Sequence, residues 1–255
     1  MADKPKRPAR YHLNAANRRR NLVIQIGLTA IVVIFAVGLV LYIMMSHGHK
    51  TSGSSGAGHA IRVTSSKLIT RDGTKDPKAV VAFYEDFLCP ACGNFERNFG
   101  PTVSKLIDSG AIAADYYPVA ILDSPRNQDY PARAGAAAYC VAAESIDAFR
   151  RFYTALFSKD LQPAEIGPTF PDNARLIELA REAGAAGKVP NCVDSGKYFA
   201  TVEGMAAATN VHATPTIRIN GEDYSRSTPD ALVAKIREIV GNVPGLDSAA
   251  TPAAS

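Results

Sequence analysis

Residues 22–45 read LVIQIGLTAIVVIFAVGLVLYIMM, without one charged side chain. No other feature limits the possible architectures as strongly. As a helix rising about 1.5 Å per residue, the run extends about 36 Å, enough to cross a hydrocarbon layer of about 30 Å with some tilt. A cleaved signal peptide would have an apolar stretch of ~15 residues or fewer and a small-residue cleavage site. Here SHGHK follows without such a site, so a retained signal-anchor is expected. Lys4, Lys6, Arg7, Arg10, Arg18, Arg19 and Arg20 precede the run, opposed by Asp3 alone. By the positive-inside rule, residues 1–21 form a basic cytoplasmic tail. Everything beyond Met45 then lies on the extracytoplasmic, periplasmic side of the cell membrane.

This tail also accounts for the basic charge. The chain carries net +4, and the tail holds about +6 of it, leaving about −2 for the remainder. With no basic stripe interleaved with aromatics, nucleic acid is not an expected partner. A hydrophobic content of 47% excludes wholesale disorder. Residues 46–60 are rich in Ser, Gly and His and read as a flexible linker. His47, His49 and His59 are better taken as spacer than as metal ligands. Residues 242–255, rich in Pro, Ala and Ser, read as a disordered tail.

One domain remains, over 61–241. AVVAFYEDF (79–87) predicts a buried strand, bounded by DGTKDP. After Pro90, residues 91–110 predict a helix, with a kink at Pro101 and a stop at Gly110. AIAADYYPVAIL (111–122) is a second strand. Helices follow near 130–159, 173–184 and 194–209, with LQPAEIGPTFPD (161–172) as a proline-broken connector, read as surface loop before substrate lid. TPTIRING (214–221) is a third strand, turning at Asn220-Gly221 into a short partner over 222–224. Thr228, Pro229 and Asp230 open a closing helix as cap, first position and first-turn acid. Strand–helix–strand, a helical block, then strand–strand–helix makes a mixed sheet of the α/β class, with a helical insertion over about 123–210.

Cys89 and Cys92, in FLCPACGNFE, sit where the first strand gives way to its helix. The unpaired N–H groups and positive dipole end of that helix favour a thiolate at Cys89, and a thiolate is the form that attacks disulfides. Pro90 occupies a position where its missing N–H costs nothing. Cys92, one turn on, is the natural resolving thiol. Structural zinc wants four ligands, and Cys140, Cys192 and His212 stand apart from the pair, so no metal is expected. Outside the cytoplasm, Cys140 and Cys192 are expected to bond to each other, with two buried free thiols as the alternative. Glu85 and Asp86 could help move a proton from Cys92, although solvated acids at a strand end are the simpler reading. Phe87, Phe95, Phe99 and Tyr224 could line a peptide groove, but core packing explains Phe95 and Phe99 equally well.

FYEDFLCPACGNFE followed by VHATPTIRING resembles the DsbA-like branch of the thioredoxin superfamily, across most of 61–241. The resemblance implies a thioredoxin fold interrupted by a helical domain, and a thiol–disulfide oxidoreductase without a cofactor. Cys89 would attack, Cys92 resolve, and a cis Pro215 after Thr214 would stand beside them to shape the substrate site together with Pro90 and Ala91. Family oxidants carry histidine where this chain has Ala91, which implies a milder oxidant. A buried acid is common six residues before the first cysteine; here that place is Phe83.

The expectation is an extracytoplasmic oxidase that introduces disulfides into exported proteins. By resemblance, a quinone-linked membrane thiol oxidase of the DsbB or vitamin K epoxide reductase-like type would reoxidise it. A monomer is expected, because no dimerisation domain of the kind found in isomerases of the superfamily is visible. Two other readings stay open: a reductase or isomerase using the same cysteines, and a non-catalytic binding or metal-handling module.

Overall fold

The computed structural model of the protein describes residues 59–225 and 228–243. The expected membrane span, linker and terminal tail lie outside those residues, apart from the last linker positions and the first of the tail. Among the described residues, no helix is long and apolar enough to cross a membrane.

The domain is organised around β2 (Val80–Glu85), in which every residue but the first is buried. Such a nearly continuous run is what a strand covered on both faces requires. Helix α1 (Pro90–Asp108) leads to β3 (Ala113–Pro118), which lies parallel to β2 with Phe83 opposite Tyr116. Strand β1 (Ile61–Val63), too short to stand out in the sequence, pairs antiparallel with β3. There Arg62 opposes Asp115 and binds both its carboxylate oxygens at 2.7 Å. On the other side, β4 (Thr216–Ile219) runs antiparallel to β2, and β5 (Glu222–Asp223) completes the order β1-β3-β2-β4-β5. The turn into β5 uses positive φ at Asn220 (52°) and Gly221 (90°), which an Asn-Gly pair adopts readily. Helix α1 continues through Pro101 and ends where Gly110 takes φ 81°. There the Ala111 N–H reaches the Leu106 carbonyl and the Gly110 N–H that of Ile107, a Schellman closure. A Cβ at Gly110 would also overlap the Lys67 carbonyl, so glycine is required twice over.

Between β3 and β4 lies the helical insertion. The segment expected as one helix over 130–159 divides into α2 (Tyr130–Glu144) and α3 (Ile146–Leu156). Ser145 causes the break: extended at φ −155°, it caps α3 by accepting the Ala148 N–H at 3.2 Å. Helix α4 (Asn173–Glu182) is capped in the same way by Asp172. The helix expected over 194–209 is instead α5 (Val189–Asp194) and α6 (Phe199–Ala208), since the chain leaves helical geometry at Gly196, φ 63°. Helix α2 is alanine-rich because its neighbours crowd it: a Cβ on Gly135 would stand 2.7 Å from Val202 and 3.1 Å from Pro118 of β3. Cys140 of α2 and Cys192 of α5 form a disulfide, with Cα atoms 5.8 Å apart.

An aromatic cluster fastens this insertion to the sheet. Phe149, Tyr153 and Phe157 recur every fourth residue along and just beyond α3. They meet Tyr116 and Phe87 at ring separations of 4.8 to 5.4 Å. Each such pair contributes roughly 0.5–1.5 kcal/mol beyond the area it buries. Helix α7 (Pro229–Val240), capped by Thr228, packs on α1 and closes the domain.

Candidate active site

The end of β2 turns sharply into α1, and Asp86 shapes the turn. Its carboxylate accepts the Leu88 N–H at 2.8 Å and, from the start of the insertion, the Leu122 N–H at 2.9 Å. Its carbonyl accepts the Cys89 N–H at 3.0 Å. Cys89 is thereby delivered in extended geometry (φ −70°, ψ 118°) as the N-cap of α1, with Pro90 in the first turn. No side chain caps the helix, which leaves its first N–H groups for the sulfur. The Thr214–Pro215 peptide, carried in just before β4, is cis, and the Cys89 thiol lies 3.6 Å from the Thr214 carbonyl.

This setting lowers the Cys89 pKa from 9.0 to about 5. The hydrogen bond from Cys92 is the largest cause, followed among the lowering influences by Thr214 and by the N–H groups of Cys92 and Ala91, all against a desolvation cost. Cys92 moves far the other way, raised by burial first and then by the hydrogen bond to Cys89. The two thiols thus divide the work of one anion. Cys92 has no exposed surface, and Cys89 is only 8% exposed. The Cys89 sulfur is covered in part by the cis-proline segment, whose Thr214 carbonyl it meets.

Behind Cys92 lies a second acidic group. Glu96, four residues along α1, shares its helix face, and Glu85 comes from the end of β2. Both are buried, at 9% and 1% exposure. Glu85 Oε1 and Glu96 Oε1 are both buried without a hydrogen-bond partner, and each carboxyl perturbs the other. Burial lifts Glu96 to about 7; burial and then the Glu96 charge lift Glu85 well above the usual carboxylate range. The Tyr153 hydroxyl donates to the second Glu85 oxygen at 2.6 Å. Asp86 is likewise pushed up to about 7, mainly by burial.

Two thiols at a helix mouth beside a cis proline, on this sheet order, can be compared with known proteins. A family model described as Thioredoxin matches residues 69–238. The chain is a DsbA-like member of the thioredoxin family. Oxidised DsbA of Mycobacterium tuberculosis superposes with a TM-score of 0.73 at 74% identity, covering 74% of this chain and 96% of that one. A reduced disulfide bond oxidoreductase (DsbG) from the same organism gives 0.74 at 74% identity, covering 76% and 93%. The serine/threonine-protein kinase PknE of M. tuberculosis is 30% identical over 144 residues, 56% of this chain. The chain spans 25% of the length of that curated relative.

In this DsbA-like site, Cys89, Pro90, Ala91, Cys92, Thr214 and Pro215 come together, whereas Cys140 and Cys192 are bonded within the insertion. Three of the aromatic residues read as groove candidates are buried in the core. Phe95 and Phe99 stack at 4.6 Å, and Phe87 stacks on Phe157 at 4.8 Å. Tyr224 is partly buried against the core. Glu85 and Asp86 are not the solvated acids of the simpler reading, because the insertion folds over them. Glu96 could have been found from its four-residue spacing to Cys92; Tyr153 had no local signal. Beside the turn, a cavity of about 550 Å³ is lined by Leu88, Leu122, Pro125, Arg126, Glu165 and Ile166 among others. Ile166, in the proline-broken connector, is 87% exposed. Among the described residues, no group of three or more His, Cys, Asp or Glu side chains is placed to hold a metal.

Proposed function

We propose that this chain is a thiol–disulfide oxidoreductase that works as an oxidase on exported proteins. The observation that carries the reading is Cys89 as the N-cap of α1, 3.6 Å from the Thr214 carbonyl of the cis Thr214–Pro215 peptide, with Cys92 fully buried one turn behind it. In the oxidised enzyme a substrate thiolate attacks the Cys89 sulfur. The Cys89–Cys92 bond breaks and its electron pair leaves on Cys92, which must take a proton in that buried place. The buried Glu85–Glu96 pair, whose Glu96 holds its proton up to about pH 7 and whose Glu85 charge is felt at Cys92, can supply one. A second substrate thiolate then attacks the substrate sulfur of the mixed disulfide and expels Cys89 as a stable thiolate. The substrate loses two electrons and two protons. The enzyme keeps both electrons and the Cys92 proton, and the other proton passes to solvent.

Stabilising the Cys89 thiolate favours the reduced enzyme and so makes the disulfide the stronger oxidant, by about 30 mV per pKa unit. The apolar run at 22–45 and its basic flank support a single-pass protein of the cell membrane, with cytoplasmic N-terminus and extracytoplasmic domain. Reduced exported proteins are then the substrates of a monomeric enzyme. A quinone-linked membrane thiol oxidase, DsbB-like or vitamin K epoxide reductase-like, completes the cycle. The test is the reduction potential of the Cys89–Cys92 couple, equilibrated against glutathione. A value well above thioredoxin's, about −270 mV, is expected. A value at or below it would make the protein a reductase.

A further inference from the structure

The connector between α3 and α4 sends one side chain to the redox turn. The Gln162 amide donates to the Cys89 carbonyl at 3.0 Å and to the Phe87 carbonyl at 3.3 Å. Its oxygen accepts from the Arg97 Nη1 of α1 at 3.1 Å. Arg97 is itself held by the Phe157 carbonyl and by Asn94, each at 2.7 Å. The amide crosses α1 immediately over Gly93, where a Cβ would overlap Gln162 Oε1 and stand 2.6 Å from Arg97. Gly93 has an ordinary negative φ, so the backbone does not need glycine there; the crossing side chain does.

We propose that Gln162 is a positioning residue for the redox turn, holding the Cys89 peptide from the helical insertion, and that Gly93 is glycine to admit it. The Cys89 carbonyl accepts both the Gly93 N–H, at 3.2 Å, and the Gln162 amide. Together these fix the plane of the Cys89–Pro90 peptide, the unit that leads directly into the Ala91 and Cys92 N–H groups aimed at the sulfur. Because Glu165 and Ile166 follow on the same connector, the latch also sets the wall of the neighbouring cavity relative to Cys89. The inference rests on Cys89 being the attacking thiolate.

Three variants of the full chain test it, read by the pH midpoint of Cys89 alkylation, with circular dichroism as a check on folding. Gln162→Ala is expected to raise the midpoint by about half a unit to one unit, the size of one or two lost hydrogen bonds. Gln162→Glu keeps the side-chain size and the Arg97 contact but cannot donate to the Cys89 carbonyl. It should raise the midpoint further than Gln162→Ala, since it both removes the donor and adds a negative charge near the thiolate, so the neutral variant and the double variant carry the discrimination. Gly93→Ala should match Gln162→Ala and add nothing to it in the double variant. A Gln162→Ala protein that titrates like the parent would overturn the proposal, as would additive shifts from Gly93→Ala and Gln162→Ala. Should Gly93→Ala fail to fold, the two Gln162 variants decide alone. A parent midpoint near 8.5, that of an unassisted thiol, would instead remove the thiolate reading itself, so the two failures are distinguishable.

Discussion

Cys89→Ser is expected to reduce dithiol oxidation of a peptide substrate to the uncatalysed rate, and Cys92→Ser to accumulate an enzyme–substrate adduct when offered a disulfide peptide. The asymmetry follows from position. Only Cys89 meets the helix N–H groups and the Thr214–Pro215 segment, so only it can be attacked, or attack, with an anion stabilised in place. Serine there cannot form the bond at all. With serine at 92, Cys89 still reacts with a substrate disulfide, but no neighbouring thiol can release the product. Mass spectrometry of the non-reduced protein reads both results: no adduct for Cys89→Ser, and one peptide per enzyme for Cys92→Ser. Trapping through position 92 in the Cys89→Ser protein would reverse the assignment.

Removing the second cysteine pair has the largest expected effect on stability. The Cys140–Cys192 bond spans a sequence separation of 52. Closing a loop of that length restricts the unfolded chain by about 4 kcal/mol on the chain-entropy estimate. For a domain of this size, Cys140→Ala with Cys192→Ala should therefore lower Tm by about 10 °C. The adduct chemistry at Cys89 should survive at low temperature. A Tm within about 2 °C of the parent would mean that the bond does not constrain the unfolded state. The bond joins α2, the buried helix of the insertion, to α5 on its flank, so its loss loosens the unit that supplies Tyr153 and Gln162.

How far the site could be read in the sequence depends on the range of the forces involved. The strand before Cys89, the helix after it and the placement of Pro90 are local effects of apolar patterning and helix-end chemistry. Those residues sit where local rules put them. The caps at Thr228 and Asp172 belong to the same class. The approach of Thr214 to Cys89 crosses 125 residues of chain, and only the family resemblance made it visible. Glu85 and Asp86 were misjudged because their burial is imposed by the insertion, through Tyr153 and Leu122, and not by neighbours in sequence. The division at Ser145 was missed because apolar spacing continues across it, while the Ser145 side chain ends one helix and starts the next. Gly93 looked like an unremarkable helix residue. Its reason is a side chain that arrives from nearly seventy positions away.

The pH titration of Cys89 in the reduced protein, followed by its rate of alkylation, tests the central claim most directly. The folded pKa lies below the unfolded one. The thiolate therefore stabilises the reduced fold in full above about pH 9, and that contribution is lost as pH falls through about 5. The buried carboxyls have the opposite sign. Their raised values penalise the fold as pH rises from the ordinary carboxylate range towards about 7. Alkylation isolates the cysteine from that background. The account predicts a midpoint near 5, with Cys89 almost wholly ionised at neutral pH; a midpoint near 8.5, the value of an unassisted thiol, would contradict it.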